Sequence, residues 1–216
     1  QIARQVFGIE TAENGLVFFK NGDPAYITKR FDVAADGTKW AVEDFASLAG
    51  RTPQTHGTDF KYSGSYLELF ELLKKHVPAY QIEAIKLFKL LLFNYLISNG
   101  DAHFKNFSLI ETALGDFKLS PAYDILNSRI HIEDRDFALE DGLLPQDKTT
   151  GKVTEQFFKL AELAGISEKQ SAKAFKAITS SKEKVLALIK LSYLDDKTKR
   201  NYSQGYQTKL KKLLRD

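Results

Sequence analysis

Hydrophobic positions recur along the chain with two periods, and the switches between them mark out the elements. Residues 2–8 read as the end of a helix stopped by Gly8. Residues 16–19 and 25–28 are β-rich runs joined through Asn21, Gly22, Asp23 and Pro24. The Asn-Gly pair accepts positive φ at little cost, so a hairpin is predicted. Residues 33–39 make a polar loop, 43–49 a short helix ended by Gly50, and 51–65 the most loop-like part of the chain. Helical spacing returns at Leu69, Leu72 and Leu73, predicting a helix over 66–76 that Pro78 closes. The next helix, 81–97, is apolar on nearly every side at its centre, as expected of a helix running through the middle of a domain. Residues 107–110 and 117–120 alternate as a second hairpin around 114–116. From Thr154 to Arg215 the pattern is helical, with apolar positions at Phe157, Leu160 and Leu163 and again at Val185, Leu188 and Ile189. The basic finish over 209–215 reads as a solvated helix face.

Composition narrows the class of protein. With 216 residues, 43% of them hydrophobic, the chain can bury a substantial core. Its 31 Lys and Arg against 28 Asp and Glu give a formal charge of only +3, too even a balance to argue for nucleic acid. The absence of cysteine excludes disulfides, thiolate metal sites and a cysteine nucleophile, and suits a reducing cytoplasm. The longest apolar run, 90–93, lies among Lys86, Lys89 and Asn94, far short of a membrane span, and no signal peptide opens the chain. A soluble, cytoplasmic protein without a membrane partner is expected. The chain has no methionine and begins at Gln1 inside a helical pattern, so a fragment of a longer protein, or a sequence written without its methionines, is expected as well.

The densest chemistry lies in ISNGDAHFKNFSLI, residues 97–110, between the apolar helix and the second hairpin. A loop holding Asp101 and Asn106, a hairpin, and a second acid, Asp124, at its exit follow in an order that suits phosphoryl transfer. Such chemistry needs one carboxylate to orient the attacking hydroxyl and accept its proton. It also needs a carboxylate and an amide oxygen to hold Mg²⁺ against nucleotide phosphates. Asp-x-x-x-x-Asn is the catalytic-loop spacing of protein kinases, although no His-Arg precedes Asp101 and Ile125-Leu126, not Phe-Gly, follows Asp124. The bland alternative stays open: Asn99-Gly100-Asp101 is also a good helix-end turn. His103 also fits a turn histidine and Lys105 a solvated loop lysine. His56, His76 and His131 share no metal-ligand spacing and read as structural or exposed.

GDAHFKNFSL, the later LSPAYDI, the earlier KRFD and the EDF at 43–45 together resemble the C-terminal kinase region of the HipA family, bacterial serine/threonine kinases found as toxins in toxin/antitoxin pairs. The resemblance runs from about Ala3 to the C-terminus. It implies an α+β, protein-kinase-like fold. Residues 1–32 would be the end of the small lobe (helix end, hairpin and hinge), and residues 33–216 a mostly helical large lobe with a catalytic loop at 99–107 and a metal-binding segment at 120–126. It further implies ATP and Mg²⁺, with Asp101 as catalytic base, Asn106 and Asp124 on the metal, His103 and Lys105 close to the phosphates, and Phe104 among the nucleotide-binding residues. Tyr123 would help position the metal acid. Lys29, although Ala-Tyr-Ile-Thr-Lys looks like a strand lysine, would instead fall with Arg30 and Phe31 at the hinge beside adenine, Phe31 packing on the base. The family usually has an acid where Lys29 stands, so a backbone contact is expected there. The Gly-rich phosphate loop and the strand lysine are expected upstream of Gln1.

By the same resemblance the reaction is transfer of the γ-phosphate to a protein serine or threonine, with an aminoacyl-tRNA synthetase as target class and translation arrest as result. The implied partner is a helix-turn-helix antitoxin of the HipB type, and DNA would be met only through it. Two rivals remain: a small-molecule kinase of the aminoglycoside or choline kinase type, and a catalytically silent kinase-fold binding module.

Overall fold

The computed structural model describes residues 1–130, 135–149 and 151–215. Its centre is α5 (Tyr80–Leu96), with Leu87, Phe88, Leu91, Leu92, Phe93 and Leu96 all buried. Each such side chain contributes about 1.5–3 kcal/mol by leaving water, which is why a helix apolar all round sits inside and not on the surface. The first helix, α1 (Ile2–Phe7), ends at Gly8 in the left-handed conformation and packs Phe7 on Phe93 of α5, with ring centroids 5.5 Å apart. The hairpin β1 (Asn14–Phe18) and β2 (Pro24–Thr28) forms as its pattern predicts, in a register that pairs Leu16 with Tyr26. It is a two-stranded sheet with Leu16, Phe18, Phe19, Tyr26 and Ile27 exposed, and Phe18 makes an edge contact with Tyr193.

The sequence pattern places a helix over 43–49, but the structure divides that stretch. Val42–Asp44 is strand β3, and only Phe45–Leu48 is helical (α2). Asp44 is the reason. Its carboxylate accepts a hydrogen bond from the Ser47 backbone at 2.9 Å, which caps a helix that cannot begin earlier and leaves 42–44 extended to pair with β4. The resulting sheet has the order β3, β4 (Ser108–Glu111), β5 (Phe117–Leu119), antiparallel throughout. The loop-like stretch 51–65 contains one short helix, α3 (Pro53–His56), before α4 (Tyr66–His76).

The C-terminal part is α6 (Val153–Leu163), α7 (Glu168–Thr179), α8 (Lys182–Leu191) and α9 (Asp196–Leu214). Tyr95 stacks on Phe137 at 5.5 Å and meets Phe157 edge-on at 5.8 Å, joining α5 to α6. The basic finish is not wholly solvated. Lys209 is 2% exposed, with Leu210 and Leu213 buried beside it, while Lys211 and Lys212 face water. The Lys209 ammonium lies 4.2 Å above the Tyr95 ring and pairs with Asp136, so its stem fills the core while its charge keeps a partner. Of the histidines set aside above, His56 is exposed and His76 half-buried, and His131 lies outside the described residues. Among the described residues no helix is long and apolar enough to cross a membrane.

Candidate active site

The end of α5 builds the site. Ile97 caps the helix, and Ser98 takes φ of 58°, a left-handed conformation that turns the chain back sharply. The turn is tied down: Ser128 Oγ donates to the Ser98 carbonyl at 3.0 Å and accepts from the Gly100 backbone at 2.8 Å. Asn99 Nδ2 reaches both Asn94 Oδ1 at 3.3 Å and the Asp124 carbonyl at 3.4 Å. The helix end, the catalytic-loop candidate and the second acid are therefore one hydrogen-bonded unit.

Within it Asn106 is central. Its Oδ1 accepts from the His103 backbone N–H at 3.1 Å, and its Nδ2 donates to Asp124 Oδ2 at 2.5 Å. Asp124 has φ of 52°, so Ser98 and Asp124 are the two non-glycine residues with left-handed φ among the described residues, and both flank this loop. An aspartate tolerates that conformation better than most residues, but it still carries local strain held by its surroundings. Asp124 is exposed and Asn106 buried, so the pair opens to solvent on the acid's side.

Tyr123 joins the loop from outside. Its hydroxyl donates to the Lys105 carbonyl at 2.8 Å and meets Ser108 Oγ at 2.5 Å, while its ring stacks on Phe31 with centroids 5.7 Å apart. Burial pushes its hydroxyl pKa up, helped by the nearby Asp44 and Asp124, while the Ser108 hydrogen bond works the other way. The strand before it is anchored by a buried acid: Glu83 of α5 accepts from the Leu119 backbone at 3.2 Å and from Lys86 at 2.8 Å. On the other side the chain after α1 pairs with the same segment, Ala12 N–H donating to the Ala122 carbonyl at 2.9 Å and Ala122 N–H to that of Glu10 at 2.8 Å.

Asp101, half-buried, takes a hydrogen bond on Oδ1 from the Tyr62 hydroxyl at 2.8 Å. His103 is 6% exposed and sits edge-on to Tyr62 at 5.2 Å. Burial and the charge of Lys61 hold its imidazole below the ordinary value of 6.5 against the opposing pull of Asp101 and Asp124, so it is neutral at neutral pH.

The structure thus brings Asp101, His103, Asn106, Tyr123 and Asp124 together, with Phe31 at the edge through its stack on Tyr123. Phe104, Lys105, Lys29 and Arg30 keep their side chains outside this hydrogen-bonded cluster. The Phe104 ring is fully buried under the Arg51 guanidinium, 4.1 Å from its centroid, so a nucleotide could meet only its backbone. Lys105 is exposed, with only its carbonyl in the network. Lys29 pairs with Glu13 at 3.3 Å in solvent, and its N–H is already given to the Glu13 carbonyl at 2.8 Å; that N–H is therefore closed to adenine. Arg30 turns to Asp32, its Nε donating at 2.9 Å.

The pattern of apolar residues carried no sign of Tyr62, Glu83 or Ser128, because each acts through a contact formed only on folding. The 51–65 stretch holding Tyr62 reads as loop, and a lone glutamate in a helix reads as surface. A cavity of about 1030 Å³ between α1, the hairpin and the end of α8 touches this site only through Tyr123 and Asp124.

Asp124 and Asn106 offer hard oxygen donors of the kind Mg²⁺ takes, and the amide oxygen retains a second lone pair beyond the one used on His103. Among the described residues no group of three His, Asp or Glu gathers to make an all-protein cage.

Comparison with known proteins supplies the context. The family described as HipA-like C-terminal domain matches residues 1–186. A Sinorhizobium fredii protein named "Putative kinase Y4dM" is 31% identical over 172 residues, covering 76% of this chain and 40% of that protein. In fold the chain is similar to HipA in the Shewanella oneidensis complex of HipA, HipB and operator DNA. That match has a TM-score of 0.72 at 19% identity and covers 98% of this chain and 53% of the other. It is also similar to the Helicobacter pylori proinflammatory kinase CtkA, with a TM-score of 0.63 at 14% identity over 97% of this chain and 79% of the other. The fold is accordingly α+β and protein-kinase-like, and the chain spans about half the length of the HipA chain and less of Y4dM.

Proposed function

Since the chain belongs to the HipA-like C-terminal domain family, we propose that it carries the catalytic region of an ATP-dependent serine/threonine protein kinase. The observation that supports this reading above the others is the closure of the Asp101–Asn106 loop on Asp124 through the Asn106 amide. The substrate hydroxyl oxygen attacks the γ-phosphorus of ATP, and its proton passes to the Asp101 carboxylate. The bond to the β–γ bridging oxygen breaks, and ADP leaves with that electron pair. Mg²⁺, held by Asn106 and Asp124, supplies charge neutralisation at the phosphates when bound. Asp101 orients the hydroxyl, Tyr123 and Phe31 form an aromatic wall suited to a base, and Lys105 is free to swing toward the transferring phosphate. Residues 1–32 contribute the end of the small lobe and 33–216 the large lobe.

The proposed partner is an antitoxin of the HipB type in the cytoplasm, since the HipA chain it resembles in fold is complexed with HipB and operator DNA. The proposed target is an aminoacyl-tRNA synthetase, with arrest of translation; both come from the family resemblance. Transfer from γ-labelled ATP in a lysate tests the reading. Label in a protein band, lost in Asp101→Asn, is expected. Label in soluble metabolites instead would point to a small-molecule kinase, and a cellular effect unchanged in Asp101→Asn would leave a binding module.

A further inference from the structure

Tyr62 has no part in the reading above, yet it holds the residue on which that reading turns. Its hydroxyl donates to Asp101 Oδ1 at 2.8 Å, and Asp101 Oδ2 makes no hydrogen bond among the described residues. We infer that Tyr62 is a positioning residue for phosphoryl transfer: by occupying Oδ1 it fixes the carboxylate plane and leaves Oδ2 to take the proton of the substrate hydroxyl. The inference rests on the kinase reading of this site.

Tyr62 is placed for this from several directions. The Lys61 carbonyl accepts from Phe104 N–H at 3.1 Å, which ties the tyrosine's own segment to the catalytic loop. The Tyr62 carbonyl accepts from Glu140 N–H at 2.9 Å, which ties it to the segment after Asp136. Its ring meets His103 edge-on at 5.2 Å, with the Lys61 ammonium 4.8 Å from its centroid. Four residues later, at the start of α4, the Tyr66 hydroxyl donates to the Ala102 carbonyl at 2.8 Å, so two phenols bracket the backbone that carries Asp101. A side chain pinned at ring and backbone holds its hydroxyl to a fraction of an ångström, the tolerance at which a misplaced general base loses rate.

The test is Tyr62→Phe in the protein as encoded. The expected result is a kcat lower by about ten- to a hundred-fold, with KM for ATP and the melting temperature unchanged. In an Asp101→Asn background the same change should cost nothing further, because the group it positions is already gone. Unchanged kcat in Tyr62→Phe, while Asp101→Asn is inactive, overturns the inference and leaves the kinase reading standing. A fall in kcat that comes with lost ATP binding or a lower melting temperature makes Tyr62 structural and overturns it too. Full activity in Asp101→Asn, or no transfer by the unaltered protein, overturns the kinase reading and the inference together.

Discussion

Asn106 and Asp124 stand eighteen positions apart, and their side chains meet at 2.5 Å with the amide nitrogen as donor. The same amide gives its oxygen to His103 N–H, so one buried side chain sets the geometry of the loop and holds the exposed acid in place. A cation entering beside Asp124 competes with that amide nitrogen for the carboxylate. Asp124→Asn removes the charge while keeping the shape. It is expected to weaken Mg-ATP binding about ten- to a hundred-fold, the size of one lost charge-assisted contact of about 1.5–3 kcal/mol. Calorimetric titration of Mg-ATP into both proteins checks this, and equal affinities would remove Asp124 from the proposed metal site.

The loop that brings Tyr62 to Asp101 depends on Gly64, whose φ is +85°. A Cβ there would stand 2.1 Å from Glu68 Oε1. That carboxylate cannot simply move aside, because it caps Ser65 N–H at 2.8 Å and pairs with Arg51. Gly64→Ala is expected to cost about 2–3 kcal/mol, read from urea midpoints. Gly115 is the control: at φ +78° with nothing within 4 Å of its would-be Cβ, it should lose only the conformational part, about 1 kcal/mol.

His103 makes stability depend on pH in a definite direction. Its folded value lies below the ordinary 6.5, chiefly through burial and then through Lys61, so at mildly acid pH the unfolded chain binds the proton more readily. The stability this histidine contributes is fully present above about pH 6.5 and is lost as pH falls through the folded value. The melting temperature should therefore drop from neutral toward mildly acid pH, and His103→Gln should flatten that slope. A slope identical in the variant would assign the effect to other groups.

Lys209 and Asp136 predict an asymmetry. The ammonium is 2% exposed and the carboxylate 42%. Burial, with the charges of Lys212 and Arg129, holds Lys209 below its usual range against the pull of Asp136, while Asp136 is lowered because its interactions with Lys209 and Lys212 outweigh its own burial. Asp136→Ala strands a buried cation and should cost about 2–4 kcal/mol. Lys209→Met keeps the packing over Tyr95, leaves Asp136 able to hydrate, and should cost about 1 kcal/mol or less. Chemical denaturation of the two variants checks the order, and reversal would mean the ammonium reaches water.

The sequence by itself determined the parts whose cause is local. The 3.6 period set α4, the Asn-Gly turn set the β1–β2 hairpin, and a centre apolar on nearly every side required a central position for α5 whatever surrounded it. The order Asp101, Asn106, Asp124 and the resemblance they carry were legible for the same reason, since motif spacing is a property of the chain. Tertiary structure decided what depends on a partner far along the chain. Residues 42–44 became a strand because β4 offered them an edge, and Lys209 left solvent because Tyr95 and Asp136 could receive it. Phe104 became core because Arg51 covers its ring, and Lys29 found its partner in Glu13. Tyr62 reached Asp101 across 39 positions. A phenol in a polar loop has no period and no motif, so only packing, which fixes its ring and backbone at once, could assign its hydroxyl to that carboxylate.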